Sequence, residues 1–453
     1  MKFTASEIAE AIGGTLVADA GSSTIATDTR SLQGGEWFLA IVGERFDAHE
    51  HLDNAAGCIG VIVDRDVPFD GGIVKVDDTT KALQDLGRAA RKRLSSPVIG
   101  LTGSNGKTTT RALIACAVAP MGRVHQTVGN LNNHFGVPFT LLAAPENADV
   151  SVVEMGTSGP GEIELLADIA SPDVRLITNI GAAHLEELGG LPGVAQEKGA
   201  MYRSASPGDV CVVNADDPFL ADMPLPNGVR VVRYGRAEDA DVQLLSATLD
   251  PDRLETLAEY EVHGQFVSTT IPAPGEHIAH NAAAALAIAC ALGVDAKQAA
   301  QALQDYQPVG MRLAIERLPG GITAFNDAYN ANPSSVAASL TMFASLPGRK
   351  AVVLGDMLEL GPDEARYHEE TAELAFRLGF ERILLVGPRM SQAFADGAST
   401  HIERAVDGEL LVSNLAHWLR PGDRVLFKGS RGARVERILH SLTQALTAPS
   451  EDT

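Results

Sequence analysis

The chain runs to 453 residues, 45% hydrophobic and 21% charged, which supplies apolar material for several cores and excludes wholesale disorder. Its formal net charge of -22 repels polyanions, which argues against nucleic acid or an anionic membrane as main partner; an anionic substrate needs a local positive pocket. At about 150 residues per domain the length implies three domains, set at 1–95, 96–308 and 309–453.

Met1 to Glu7 leads into polar, helix-like sequence rather than an apolar signal segment, and no apolar run reaches the ~18 residues of a membrane span. Cys58, Cys116, Cys211 and Cys290 lie far apart with no C-x-x-C pair, so buried thiols in a reducing cytoplasm are expected. In the first segment, short β-like runs at Glu36 to Ile41 and Ile59 to Val63 mix with amphipathic stretches. The segment closes on a helix from Leu83 to Leu94. Its Arg88, Arg91, Lys92 and Arg93 read either as a solvated face or as a positive wall for an anion, before the breaker Ser95-Ser96-Pro97.

From Val98 the pattern turns to strands alternating with helices: Val98 to Thr102 then Thr108 to Ala119, Val150 to Glu154 then Gly161 to Ala170, Val174 to Ile180 then Val194 to Arg203, and Asp209 to Asn214. That alternation predicts a mainly parallel sheet covered by helices. A β-rich stretch over 229–272 and an alanine-rich helix from Asn281 to Leu292 follow, then a turn-rich boundary at Gln307 to Gly310. Strands at Ile322 to Phe325, Ala351 to Leu354, Ile383 to Val386 and Val425 to Phe427 predict a third, doubly wound unit. The fold class is α/β in three domains: a small mixed α/β domain, a central P-loop ATPase-like parallel sheet and a C-terminal Rossmann-like one.

Chemistry concentrates at Thr102-Gly103-Ser104-Asn105-Gly106-Lys107-Thr108-Thr109, a strand, a glycine-bearing turn and a helix start. Main-chain N–H groups there can cradle phosphates, Lys107 can neutralise their outer oxygens, and the Thr108 hydroxyl can reach magnesium. The strict Walker pattern has glycine where this chain has Leu101, so the loop is a T-G-x-x-G-K-T variant. Glu154 ends a strand expected beside the loop, where a carboxylate can help hold magnesium or merely cap the strand. His184 follows the next strand at the carboxyl edge of the sheet; Lys198 sits on a helix, where an exposed lysine is the ordinary expectation.

Taken together, Thr102 to Thr109, Glu154, Ala183-His184-Leu185-Glu186 and Lys198 resemble the central domain of the Mur ligases, ATP-dependent enzymes that extend the peptidoglycan precursor peptide. Gly129 to Asn133 with Gly136-Val137-Pro138, Leu354 to Gly361 with His368-Glu369-Glu370, and Phe427 to Gly432 are similar to the branch that adds the terminal dipeptide. The resemblance runs in order through all three segments. It implies ATP held by Gly103, Ser104, Asn105, Gly106, Lys107, Thr108 and Thr109, with Asn281 on the adenine side and Arg312 and Asp327 closing over the nucleotide. It implies Mg2+ on Thr108 and Glu154, and Lys198 carbamylated so that, with His184, it serves a second Mg2+. Lys107, Lys198, His184, Arg312 and Asp327 are the implied catalytic set. Asp28, Thr29, Arg30, Ser31, Arg45 and Phe46 resemble UDP-sugar elements, and Asn130, Asn132 and Asn133 lie in a further substrate motif. The chain departs from the family pattern at Ala48, His134, Thr157, Ser158 and Ala200.

The activity implied is transfer of the ATP γ-phosphoryl to the carboxylate of UDP-N-acetylmuramoyl-tripeptide, then attack on that acyl phosphate by the amine of D-alanyl-D-alanine. A cytoplasmic monomer without nucleic-acid partners is expected. An amide ligase adding one amino acid, a folylpolyglutamate synthase and a P-loop switch are the alternatives; the last leaves the first segment and Lys198 without a purpose.

Overall fold

Three sheets, each with its own strand order, organise the chain in a computed structural model that describes residues 1–43, 46–393 and 401–447. Arg45 therefore lies outside the described residues. The first sheet has five strands in the order Thr15–Ala18, Gly72–Lys75, Gly60–Val63, Trp37–Leu39, Ile25–Ala26, parallel except for the antiparallel first pair. Its centre is the fully buried Trp37, whose ring lies flat against Gly60 and Gly72. A Cβ on either glycine would sit 2.4 Å from the indole, so only glycine fits there.

Helix Thr79–Arg93 starts earlier than the periodicity predicts, because the Asp78 carboxylate accepts hydrogen bonds from the N–H groups of Thr80 and Lys81. Its arginines form neither an open face nor an anion wall. Arg88 pairs with Asp85 and Asp168, Arg91 with Asp173, and Arg93 with Glu7 while lying over the Phe3 ring. Beneath these pairs one apolar core runs continuously from Phe3, Leu83 and Leu86 to Val137, Leu166 and Ile169. The first sheet and the central one are thus welded together.

The central sheet has nine strands in the order Gln265–Ile271, Glu255–Val262, Val242–Asp250, Arg230–Gly235, Val210–Asn214, Val174–Ile177, Val98–Thr102, Val150–Glu154, Val124–Gln126. Every pairing from Val242–Asp250 to Val124–Gln126 is parallel, and the hairpins beyond it are antiparallel. Helix Glu276–Ala291 begins five residues before its predicted start and is buried among alanines against the helix Lys107–Ala117. The tip of the hairpin Val242–Asp250/Glu255–Val262 leaves this sheet: Leu254 and Leu249 enter the core of the third unit beside Phe325 and Phe343. Pro251 O accepts from Arg424 there.

The third sheet runs Ala314–Leu318, Ile322–Asp327, Arg424–Lys428, Lys350–Leu354, Arg382–Val386, Ile402–Ala405, parallel after its antiparallel first pair. Helices pack on it, with Pro333–Ser345 and Glu364–Arg377 against each other and Val412–Trp418 against Val435–Thr447. Among the described residues no helix is long and apolar enough to cross a membrane.

Candidate active site

Val98–Thr102 lies between Val174–Ile177 and Val150–Glu154, so the loop that follows it opens at the carboxyl edge of the parallel sheet. Gly103 turns the chain at φ 149°, with Thr178 Oγ1 only 1.9 Å from where a Cβ would stand. The Val174 strand ends at Ile177, sooner than predicted, because Thr178 and Asn179 turn to hold the loop: Thr178 Oγ1 donates to Asn105 O (2.6 Å) and Asn105 N donates to Asn179 Oδ1 (2.9 Å). Ser104 exchanges hydrogen bonds with Gly181. Gly106, at φ 78°, precedes helix Lys107–Ala117 without a side-chain cap, which leaves the first helical N–H groups free for an anion.

Lys107 follows Gly106 directly. It is the first helical residue, half-buried, with its ammonium donating to Gly103 O at 2.6 Å. Burial pushes it below the usual lysine range, with Glu154 opposing and Arg312 adding to the shift. Thr108 Oγ1 donates to Glu154 Oε1 (3.2 Å), and Asn132 Nδ2 donates to the same oxygen (2.9 Å). The other carboxylate oxygen accepts from Arg111 at 3.0 Å, a pair 4% and 1% exposed. Arg111 is a member of this group that the sequence reading did not single out. It sits one helical turn after Lys107, and only its partner across the sheet gives it meaning.

Lys198 overturns the expectation of an exposed lysine: on helix Leu191–Arg203 it is 1% exposed. Burial first, then the charge of Lys107, hold its pKa well below the usual value, while Glu197 pulls the other way. Glu197 is itself committed to the start of helix Glu162–Ala170, accepting from Gly161 N and Ile163 N.

A cleft of about 600 Å³ lies between the central and third units, lined by Asn130, His184, Arg312, Tyr329, Asn332 and Glu359 among others. Arg312 stacks 3.6 Å over the Tyr329 ring, near enough to Lys107 and Arg111 to act on both charges. Asp327 ends its strand with Oδ2 accepting from Lys428 (2.7 Å) and Ser339 (2.6 Å), so its charge is matched inside the third unit. Asn332 caps helix Pro333–Ser345 and also donates to Asn105 Oδ1 (2.7 Å), while Asn105 Nδ2 donates to Ser334 (2.9 Å). The phosphate loop thus touches the third unit directly. Asn281 lies against Gly106, and burial raises Tyr306, which hydrogen-bonds Thr109.

The remaining sequence candidates stand apart. Arg30 grips Asp28 through two hydrogen bonds, holding that carboxyl at about 2, and is 88% exposed; Ser31 closes the same turn on Asp28 O. Thr29 lies within that turn, and exposed Phe46 stacks on His51. Asn133 accepts from Phe135 N and Gly136 N at the start of helix Gly136–Ala143.

Residues 101–289 match the Mur ligase middle domain, and residues 311–431 match the Mur ligase glutamate ligase domain. The chain is 36% identical to the UDP-N-acetylmuramoyl-tripeptide--D-alanyl-D-alanine ligase of Bacillus subtilis over 98% of this chain and 99% of that one. It is 32% identical to the Escherichia coli protein of the same name, over 98% and 99%. Among solved structures, MurF from Acinetobacter baumannii superposes with a TM-score of 0.91 at 31% identity, covering 98% of this chain and 99% of that one. MurF ligase from Thermotoga maritima, in complex with ADP, gives 0.83 at 28% identity, over 94% and 98%.

Proposed function

The chain belongs to the Mur ligase family, and from that premise we propose how its own residues join D-alanyl-D-alanine to UDP-N-acetylmuramoyl-tripeptide. The chain is an ATP-dependent, ADP-forming peptide ligase of peptidoglycan precursor synthesis. The observation that carries the mechanism is Arg312, which lines the cleft near enough to Lys107 to act on its charge, in a molecule whose net charge is -22. Such a local positive focus is what a polyphosphate and a carboxylate need in order to meet.

The loop's N–H groups and Lys107 hold the outer phosphates, and Arg312 supplies a further positive group from the third unit. The Thr108 hydroxyl and Glu154 carboxylate are hard oxygen donors suited to magnesium, which takes one or two protein ligands together with substrate phosphates. Bound there, it offsets charge developing on the transferred phosphoryl group. Burial favours a neutral Lys198 amine, the form that adds to carbon dioxide; a C–N bond forms, one proton leaves, and a carboxylate results that suits a second cation beside His184. The tripeptide carboxylate attacks the γ-phosphorus, ADP leaves, the dipeptide amine attacks the acyl phosphate, and phosphate is expelled. Asn332 and Ser334, hydrogen-bonded to Asn105, help keep water from that intermediate. Residues 1–95, 96–308 and 309–453 are the three working parts, with the UDP-sugar side on the first. The molecule acts as a cytoplasmic monomer.

The test is product mass with purified protein, ATP, magnesium and UDP-muramoyl substrates, varying the amine among D-alanyl-D-alanine, D-alanine, lysine and diaminopimelate. Dipeptide-dependent product on the tripeptide substrate is expected. Addition of a single amino acid to a dipeptide precursor, with none on the tripeptide, refutes it. For Lys198, a crystal grown with nucleotide and magnesium at neutral to alkaline pH is expected to show the carbamate; an unmodified side chain at full occupancy overturns that step.

A further inference from the structure

Across the cleft, His184 of the central unit meets Glu359 of the third: Nδ1 lies 2.7 Å from Glu359 Oε2. The contact is short but off-axis, for His184 Nδ1 makes no well-aligned hydrogen bond. The main chain reinforces it, since Leu185 N donates to Glu359 O at 3.1 Å. Both residues hold left-handed backbones, His184 at φ 55° and Glu359 at φ 64°, a conformation that non-glycine residues keep only where the surroundings impose it. Gly361, at φ 67°, brings the same loop against Glu186. Two strained residues from different units therefore face each other, and both line the catalytic cleft.

We propose that Glu359 is a positioning residue, which docks on His184 Nδ1 when the third unit closes and so presents Nε2 to the second cation of the ligation reaction. A carboxylate on one imidazole nitrogen fixes the ring's tautomer and orientation and raises the basicity of the other nitrogen. Because the carboxylate comes from the third unit, the second cation site is complete only in the closed arrangement. The off-axis contact tightens when a cation loads the far nitrogen. This rests on the ligase reading above, in which His184 serves that cation.

The experiment counts Mn2+ bound to the full chain by electron paramagnetic resonance, with a non-hydrolysable ATP analogue present, for wild type, Glu359→Gln and Glu359→Ala. Wild type is expected to bind two ions. In Glu359→Ala the weaker site is expected to lose about 10- to 100-fold in affinity while the Thr108/Glu154 site holds. Glu359→Gln, which can still accept from Nδ1–H, is expected to lose less. In turnover, kcat falls with little change in KM for ATP. A single Mn2+ in wild type, an unchanged weaker site in Glu359→Ala, or equal weakening of both sites overturns the proposal. The metal count needs no turnover, so failure of the ligase reading, which shows as absence of dipeptide-dependent product, is separately visible.

Discussion

Lys107 stands in the first turn of its helix, where its ammonium rests on the Gly103 carbonyl, and is proposed above to hold the outer phosphates. Lys107→Ala is expected to lower kcat at least ~100-fold, the scale of losing one preorganised charge-stabilising donor, with the circular dichroism spectrum unchanged. Near-normal turnover in the folded variant removes the loop from catalysis. Arg111 plays a different part, because it matches a carboxylate that is almost completely buried. Arg111→Met leaves Glu154 without that partner and is expected to cost about 3–5 kcal/mol in urea unfolding, part of it regained in Arg111→Met/Glu154→Gln. A loss under 1 kcal/mol in the single variant would mean that Asn132 and Thr108 suffice. His277 and His125 add an acid limit: burial holds both below the ordinary 6.5, so the unfolded chain takes up protons that the folded one refuses. Their contribution is neutral above pH 6.5, and stability falls as pH drops below it. Urea midpoints between pH 7.5 and 5.5 are expected to slope less in His277→Gln than in wild type; equal slopes refute the assignment.

At the scale of elements, the phosphate loop depends on a strand that stops early and a glycine pressed against its neighbour. Gly103→Ala drives a methyl into Thr178 Oγ1, and calorimetry is expected to show loss of nucleotide binding in a protein whose core stays folded. Retained binding would mean that the loop relaxes without cost. Gly60→Ala meets the immovable Trp37 ring instead and is expected to cost about 1–3 kcal/mol of stability without touching nucleotide affinity. Much of this architecture is legible in the sequence. Parallel strands buried on both faces read as apolar runs, and a glycine-bearing turn between strand and helix announces itself locally. Boundaries slipped where a side chain outside the periodic stretch did the capping, as Asp78 does, or where the chain turned to serve the loop, as Thr178 does. Lys198 and Arg111 were opaque because helical spacing alone cannot tell a buried cation from a solvated one. Glu359 sits in a motif that resemblance picked out, yet its partner His184 is distant in sequence, and only the packing of two sheets joins them.

At the scale of the molecule, two junctions differ in kind. The first sheet shares a continuous apolar core with the central one, whereas most of the third sheet's core is its own. Differential scanning calorimetry is expected to show residues 1–308 melting as one unit and the third unit separately, with a non-hydrolysable ATP analogue drawing the two transitions together. A single transition without ligand counts against this. Among the ties of the third unit, buried Leu254 and partly buried Leu249 at the hairpin tip are apolar, while Asn105 to Asn332, Asn105 to Ser334 and His184 to Glu359 are polar. Water can replace every polar tie with bonds of its own but offers nothing in exchange for the leucines. The third unit is therefore expected to open as a book does, its spine at the hairpin and its pages parting over the phosphate loop.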